Sequence, residues 1–535
     1  MALLILYAIA IALGVAAHNG IFINGEWHLR VPQILLGHII LFYTFWLLVS
    51  YTQNDEKKHH SVCIRMFGSY LGSLFSSILI YRLFFHRLKR FPGPRLAAAT
   101  KFWHVWESRN STNYLVMQKV HQNYGTFVRT GPNEISIFQP NGHELLDGAK
   151  NENIRDVWYD VVYPRTSLVF NRDNEEHRDR KSAWSQAVSA KSMREYEPRI
   201  LQLVGDVADC IGSYASKPVK MNDVMSWFSF DSMGEFAFGK DFGMIRAKKT
   251  QPVVQQQRRA LKMLTPINDV IWVARTGFTF FPFLGGVRDW LNVAKFCDEK
   301  TDKVDMSKYF IEEYHRLRGE KSLKYRENVL VGNAISAVVA GSDTTRAALI
   351  SIWWFLAKYP EHAEKIVSEV KDSDMESNAL ASMPHLNGVI NQTLRLIPPA
   401  LTGGSGITGP NGLWVDDVWI PAHTKVTAPK YVLHRLPSAF VKPEEFIPER
   451  WYSRPELIID RRAFSPFSVG ARQCIGKAIS LLELRLTVAV ILKRFKVQFP
   501  VDYDPATMID DLTDEVTAQP GDLLMEVIFG SWKYS

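Results

Sequence analysis

Cysteine is scarce in this sequence. Four occur in 535 residues, Cys63, Cys210, Cys297 and Cys474, and none forms a CxxC pair. That sets aside a disulfide framework and a cysteine-based zinc site. Four separate thiols suit a reducing compartment, where one of them can be kept for its chemistry or its packing. Internal repeats and low-complexity tracts are missing, and no Gly/Ser-rich linker divides the chain after residue 100. One large domain therefore fits the length better than several small ones. Long runs of one charge are also missing. The formal net charge is +8, but the basic residues are scattered apart from His86-Arg87-Leu88-Lys89-Arg90. A modest, dispersed excess points away from nucleic acid and toward an anionic membrane surface or an acidic protein partner. Apolar runs long enough to cross a bilayer stop near residue 86, which excludes a polytopic transporter.

What is present at the N-terminus differs from everything that follows. Residues 1–17, 31–51 and 67–85 are apolar, and the second and third approach the ~20 residues of a transmembrane helix. The first is shorter and lacks a charged n-region; it reads as a short span or as a signal peptide ending near Val15-Ala16-Ala17. Residues 1–86 are thus expected to be a membrane region of one to three transmembrane helices. Arg87, Lys89 and Arg90 close it, so by the positive-inside rule that end faces the cytoplasm. Phe91-Pro92-Gly93-Pro94 cannot continue a helix, and residues 87–95 read as a basic, proline-stiffened hinge.

From residue 96 to 535 the pattern is that of a mainly α domain with small β-sheets. Residues 182–211, 329–358, 361–372 and 475–495 carry helical apolar spacing. Residues 409–426 carry the Gly, Pro and alternating apolar residues of short strands and turns.

One segment stands out chemically: Phe467-Ser-Val-Gly470-Ala-Arg472-Gln-Cys474-Ile-Gly476. Gly470 allows a tight turn, and Gly476 leaves room for a flat ligand beside the backbone. Arg472 is placed to meet an anionic group near the sulfur. The apolar helix expected from Ile475 would aim its N-terminal dipole at a thiolate. A buried structural cysteine in a Gly-rich turn is the competing explanation for any single cysteine. A second segment, Ala340-Gly341-Ser342-Asp343-Thr344-Thr345, lies inside the long apolar helix and is poor helix material. Its hydroxyls can bond back to carbonyls one turn earlier and open the helix locally; hydroxyls merely satisfied inside a buried helix are the plainer reading. Gln392 and Arg395 stand three apart on one helix face. Pro448-Glu449-Arg450-Trp451 reads by itself as a charged loop. Residues 175–181 read as a mixed-charge helix start.

These segments together resemble the cytochrome P450 superfamily. The cysteine segment matches its heme-binding pattern F-x-x-G-x-R-x-C-x-G, and residues 340–345 match its A-G-x-D-T-T oxygen-activation motif. Arg450 falls in the family's P-E-R-F/W segment and Arg395 in its E-x-x-R, where Gln392 replaces the glutamate. The resemblance covers roughly residue 88 to the C-terminus, with the motifs in the family's order. It implies heme b held by Cys474 as axial iron ligand, with Phe467, Gly470, Arg472 and Gly476 shaping the loop. It implies that His177 and Lys181 hold the heme propionates, and that Thr344 and Asp343 handle oxygen and protons. Gln392, Arg395 and Arg450 would form the supporting network. The implied partners are NADPH-cytochrome P450 reductase, a membrane and a lipophilic small molecule. The implied location is the endoplasmic reticulum membrane with the domain in the cytoplasm. The N-terminal region and the Pro448–Trp451 form resemble fungal secondary-metabolism members.

The reaction implied is insertion of one oxygen atom from O2 into an apolar substrate, with electrons from NADPH through a separate reductase. The string Gly404-Ser-Gly406-Ile-Thr-Gly409 precedes strand-like sequence and opens no helix, so it fails the context of a dinucleotide site. Gln392 keeps open a non-catalytic heme carrier or sensor, and rearrangement or dehydration on the same heme is a further alternative. Pocket walls are expected from residues 157–170, 270–284 and 399–406, which are largely apolar.

Overall fold

The structure, a computed structural model, describes residues 2–52, 56–148, 151–215, 217–300 and 306–530. Its principal helices are α1 (Ala2–Ala17), α2 (Val31–Thr52), α3 (Glu56–Ile80), α4 (Asn174–Ala187), α5 (Ala190–Gly212), α6 (Met221–Phe238), α7 (Ile271–Phe280), α8 (Leu323–Lys358), α9 (Pro360–Val370), α10 (Pro384–Leu396) and α11 (Lys477–Arg494). The strands that matter for the site are β1 (Phe127–Gly131), β2 (Glu134–Ile137), β3 (Ile154–Arg155), β4 (Ser405–Ile407), β5 (Lys425–Thr427), β6 (Thr513–Glu515) and β7 (Thr517–Gln519). The fold is mainly α with small sheets, as the sequence implies.

Among the described residues three helices are long and apolar enough to cross a membrane: Leu4–Phe22, Val31–Tyr51 and His60–Phe85. The third begins well before residue 67, because residues 56–66 continue the helix despite their charges; residues 53–55 lie outside the described residues. α1 packs on α3 through Gly14. A Cβ there would lie 2.1 Å from Ser73 Oγ and 2.4 Å from the Tyr70 carbonyl, so only glycine permits the approach.

α8 runs through the centre of the domain. It starts at Ser322, whose side chain caps the Tyr325 N–H, and is buried along most of its length. A helix apolar on all sides belongs inside, and α8 packs against α6, α10 and α11. The single helix expected over 182–211 is two. Ser189 accepts from the Ser192 N–H and caps α5, ending α4 at Ala187. Serine competes for its own backbone in this way, and apolar periodicity alone does not register it.

A second core lies under a five-stranded sheet of order β1-β2-β5-β4-β3. β2 and β5 pair parallel, with Ile135 opposite Val426; the other pairs are antiparallel. Leu88 and Phe91 are buried in this core. The proline segment is clamped to β1 by the Arg129 N–H donating to the Pro92 carbonyl at 2.7 Å. A Cβ on Gly93 would sit 2.4 Å from the Arg129 carbonyl, which explains the glycine between two prolines.

Candidate active site around Cys474

The turn before α11 presents Cys474. Its N–H donates to the Phe467 carbonyl at 2.8 Å, closing the loop on itself. Gly470 sits at φ +65°, and a Cβ there would be 2.0 Å from the Asp147 carbonyl, so both its conformation and its neighbour demand glycine. Ser468 donates to Asp147 Oδ2 at 2.8 Å and pins the same loop. Gly476 serves a different purpose. Its φ is ordinary, at −81°, and a Cβ would meet nothing closer than 3.8 Å. What it provides is a bare face beside the sulfur.

Cys474 is accessible to solvent yet densely surrounded by protein. Its accessible surface therefore opens on an interior hollow. Burial pushes its thiol up, while the Gly476 N–H, Lys430 and Lys477 pull the other way by favouring the thiolate. α11 begins at Lys477, not at Ile475, because Ile475 and Gly476 complete the turn. Its N-terminus still lies next to the sulfur. Lys430 is a residue that motif reading overlooked. It is buried, held down to about 8 chiefly by burial, and close enough to favour a Cys474 thiolate. Its only sequence signal is a lysine four residues before His434.

Arg472 is already engaged. It donates to the Asn171 carbonyl at 2.7 Å and to Asn174 Oδ1 at 2.8 Å, fastening the cysteine loop to the start of α4. Lys181 adds a second tie, donating to the Ala471 carbonyl at 2.9 Å. His177 on α4 is buried and kept neutral, its value pushed down to about 3 by burial and then by Arg472, Arg155, Lys181 and Arg180. Arg155 is the other cation that motif reading missed; it pairs with Asp147 at 2.9 Å. The positive charge gathered around a neutral histidine suits an anionic group.

On α8 the helical hydrogen-bond pattern is unbroken through residues 340–345, so the local opening expected from the sequence is not seen. Thr344 Oγ1 donates to the Ala340 carbonyl at 2.6 Å. Ala340 is exposed and Gly341 and Thr344 partly so, in the middle of an otherwise buried helix. Asp343 points elsewhere. It is fully buried, accepts from Thr517 Oγ1 at 2.8 Å and Gln519 Nε2 at 3.2 Å, and pairs with Arg346 at 3.3 Å. Thr345 donates to Glu483 Oε2 at 3.1 Å, and Ser232 to Glu483 Oε1 at 2.5 Å.

Behind the loop, Gln392 keeps the network closed without a carboxylate. Its Oε1 accepts from Arg395 Nε at 3.3 Å and from Trp451 Nε1 at 3.1 Å, while its Nε2 donates to the Glu445 carbonyl at 2.7 Å. Arg395 donates further to the carbonyls of His434 (2.8 Å), Pro443 (2.6 Å) and Glu445 (3.2 Å). Arg450 donates to the carbonyls of Val441, Leu457 and Lys442. Glu449, the nearest carboxylate in sequence, turns away and pairs with Lys365 at 2.7 Å. Burial holds Arg395 well below its ordinary value and Arg450 down to about 10.

An accessible cysteine on a glycine turn at the head of one helix, in a domain whose buried central helix exposes a Gly/Thr face, suits a heme-thiolate class of protein. The comparisons agree. The cytochrome P450 family model matches residues 92–524. A cytochrome P450 monooxygenase of Hypoxylon pulicicidum is 34% identical over 90% of both chains. Tryprostatin B 6-hydroxylase of Aspergillus fumigatus is 31% identical over 93% of this chain and 92% of its own. A cytochrome P450 monooxygenase of Aspergillus versicolor is 30% identical over 96% of both. The chain belongs to the cytochrome P450 family and is an oxidoreductase.

The family implies a heme cofactor, and the residues present fit one. Cys474 offers a sulfur to the hollow, Gly476 leaves a flat face beside it, and the positive charge of Arg472, Arg155, Lys181 and Arg180 around His177 suits the carboxylates that heme carries.

Proposed function

We propose that the protein is a membrane-anchored monooxygenase that inserts one oxygen atom from O2 into a lipophilic secondary metabolite. NADPH supplies the electrons through a separate NADPH-cytochrome P450 reductase. Bound heme b supplies the redox chemistry of oxygen activation. The chain's own residues supply its setting. Cys474 would hold the iron as thiolate, which Lys430 and the Gly476 N–H favour. His177, Lys181 and Arg472 would hold the heme propionates. Thr344, released from the Ala340 carbonyl, turns its hydroxyl into the hollow and holds a proton there. Asp343 contributes by fixing Arg346 and the β6–β7 hairpin against α8, acting as a positioning residue.

The accessible Ala340–Thr344 face inside a buried helix carries the reading, since a merely structural heme protein needs no such face. Residues 1–86 are the anchor, 87–95 the connection and 96–535 the catalytic domain. The loop between α1 and α2 docks on the domain through Arg172–Glu26 (2.7 Å) and His28–Asp160 (2.8 Å). That loop and the end of α3 thus share the domain's side, which supports three spans with the N-terminus opposite. Phe280, Phe281, Phe283 and Leu284 are exposed at the end of α7, which packs on α2. They suit a membrane surface better than the pocket wall expected of residues 270–284. These features and the cytoplasmic basic cluster support the endoplasmic reticulum membrane with the domain in the cytoplasm.

The test is turnover with reductase and NADPH under labelled O2, using lipophilic metabolites that shift the heme spectrum on binding. One labelled oxygen atom per product is expected. Product formed without O2 uptake would assign rearrangement or dehydration instead.

A further inference from the structure

A cavity of about 1490 Å³ lies where the N-terminal helices meet the rest of the chain, and Cys474 is not among its lining residues. Its walls include Ile34, His38 and Phe42 of α2 and Leu71, Phe75 and Ile78 of α3. The docked loop between α1 and α2 closes one side with Phe22 and Trp27. Small-molecule pockets are typically ~300–1,000 Å³, so this one is large for a metabolite and suits a two-chain lipid.

The polar end of the cavity falls at the foot of α3, at the level where the span ends and the basic connection begins. Arg82, His86 and Arg87 line it. Four carboxylates line the same cavity, but each is already answered, Glu26 by Arg172 at 2.7 Å. Lys101 meets Glu134 at 2.7 Å, Lys425 meets Asp156 at 2.9 Å, and His104 meets Asp269 at 2.5 Å. Arg82 and Arg87 have no carboxylate among the described residues. Arg82 donates to the Ala99 carbonyl at 2.9 Å, and Arg87 to Asn133 Oδ1 and the His423 carbonyl at 3.1 and 3.0 Å. Arg129 stands close behind; its charge, with those of Arg87 and Arg82, joins burial in holding His86 down to about 4. Uncompensated guanidinium groups above an apolar groove between spans form the kind of basic pocket that takes an anionic headgroup.

We propose that this cavity binds one anionic phospholipid, its phosphate on Arg82 and Arg87 and its acyl chains along α2 and α3. The inference rests on the reading of residues 1–86 as membrane spans. A bound lipid would complete the joint between anchor and domain, fixing how the domain sits on the bilayer.

Flotation with phosphatidylcholine vesicles checks the spans first; failure to insert overturns the anchor and this site together. The heme-loaded full chain in detergent is then titrated with phosphatidylserine or phosphatidylcholine of identical chains and read by native mass spectrometry. One phosphatidylserine adduct should form in preference. R82Q/R87Q should lose that preference by roughly 30-fold, at about 1 kcal/mol of surface attraction per arginine, with the carbonyl spectrum unchanged. R82K/R87K should keep most of it. K89Q/R90Q, whose residues do not line the cavity, should keep all of it. Inorganic phosphate should not displace the lipid. Equal binding of the two lipids, retention in R82Q/R87Q, displacement by inorganic phosphate, or an equal loss in K89Q/R90Q would each overturn the site.

Discussion

Arg395 shows how a buried charge is held when its expected carboxylate is missing. Its donors reach Gln392 Oε1 and the carbonyls of His434, Pro443 and Glu445. Removing it leaves the His434 and Pro443 carbonyls unpaired at about 1–3 kcal/mol each where no water enters, against a total stability of ~5–15 kcal/mol. Arg395→Ala should therefore fail to incorporate heme, measured as heme per protein; normal loading would show that the network does not support the loop. Gln392→Glu gains attraction to Arg395 but loses the donation to the Glu445 carbonyl and sets a carboxylate against it. Its melting temperature should move by about 2 °C or less. A large gain would mean that the native network is defective and would favour a non-catalytic protein. Thr344→Ala should bind heme and substrate normally while NADPH consumption drains into peroxide, with product formation falling roughly 10²–10⁴-fold. Unchanged coupling of NADPH to product would remove Thr344 from the proton path.

α8 and α11 are held together by Glu483, which lies buried between Ser232 on α6 and Thr345 on α8. Burial raises its carboxyl to about 7, above the 4.5 of a free side chain. The folded state thus holds the proton more tightly than the unfolded one. The associated stability is fully present below about pH 4.5 and is lost as pH rises through about 7. Glu483→Gln should remove this decline, worth on the order of 3 kcal/mol, flattening denaturation midpoints between these pH values. Parallel profiles for the two proteins would place the carboxyl in contact with water. The elements themselves were legible to different degrees. α8, α9, α10 and the cysteine loop follow from apolar spacing and from motifs, because burial on one face and glycine geometry leave marks in sequence. The break between α4 and α5 at Ser189, the start of α11 at Lys477 and the early start of α3 left weaker marks, since caps and helix ends depend on single hydrogen bonds. Lys430 and Arg155 were not legible at all. They reach the site through the packing of β3 and β5's neighbouring loop, and nothing local to either residue announces it.

On the scale of the whole molecule, the N-terminal helices and the domain that follows pack together. Leu88 and Phe91 sit in the core under the five-stranded sheet, and the loop between α1 and α2 is ion-paired to the domain. A chain beginning at Arg87 should keep its heme and lose membrane attachment. A chain beginning at Arg95 loses two buried apolar side chains, each worth about 1.5–3 kcal/mol, and should melt well below it; equal melting would show that the segment is only a tether. Ligation of the heme iron by the Cys474 thiolate, on which the proposed function depends, is read out by the carbonyl spectrum of the reduced protein. Thiolate ligation requires a red-shifted Soret band in the native protein that disappears in Cys474→His while heme stays bound. Survival of that band in Cys474→His, or its absence from the heme-loaded native protein, would contradict it.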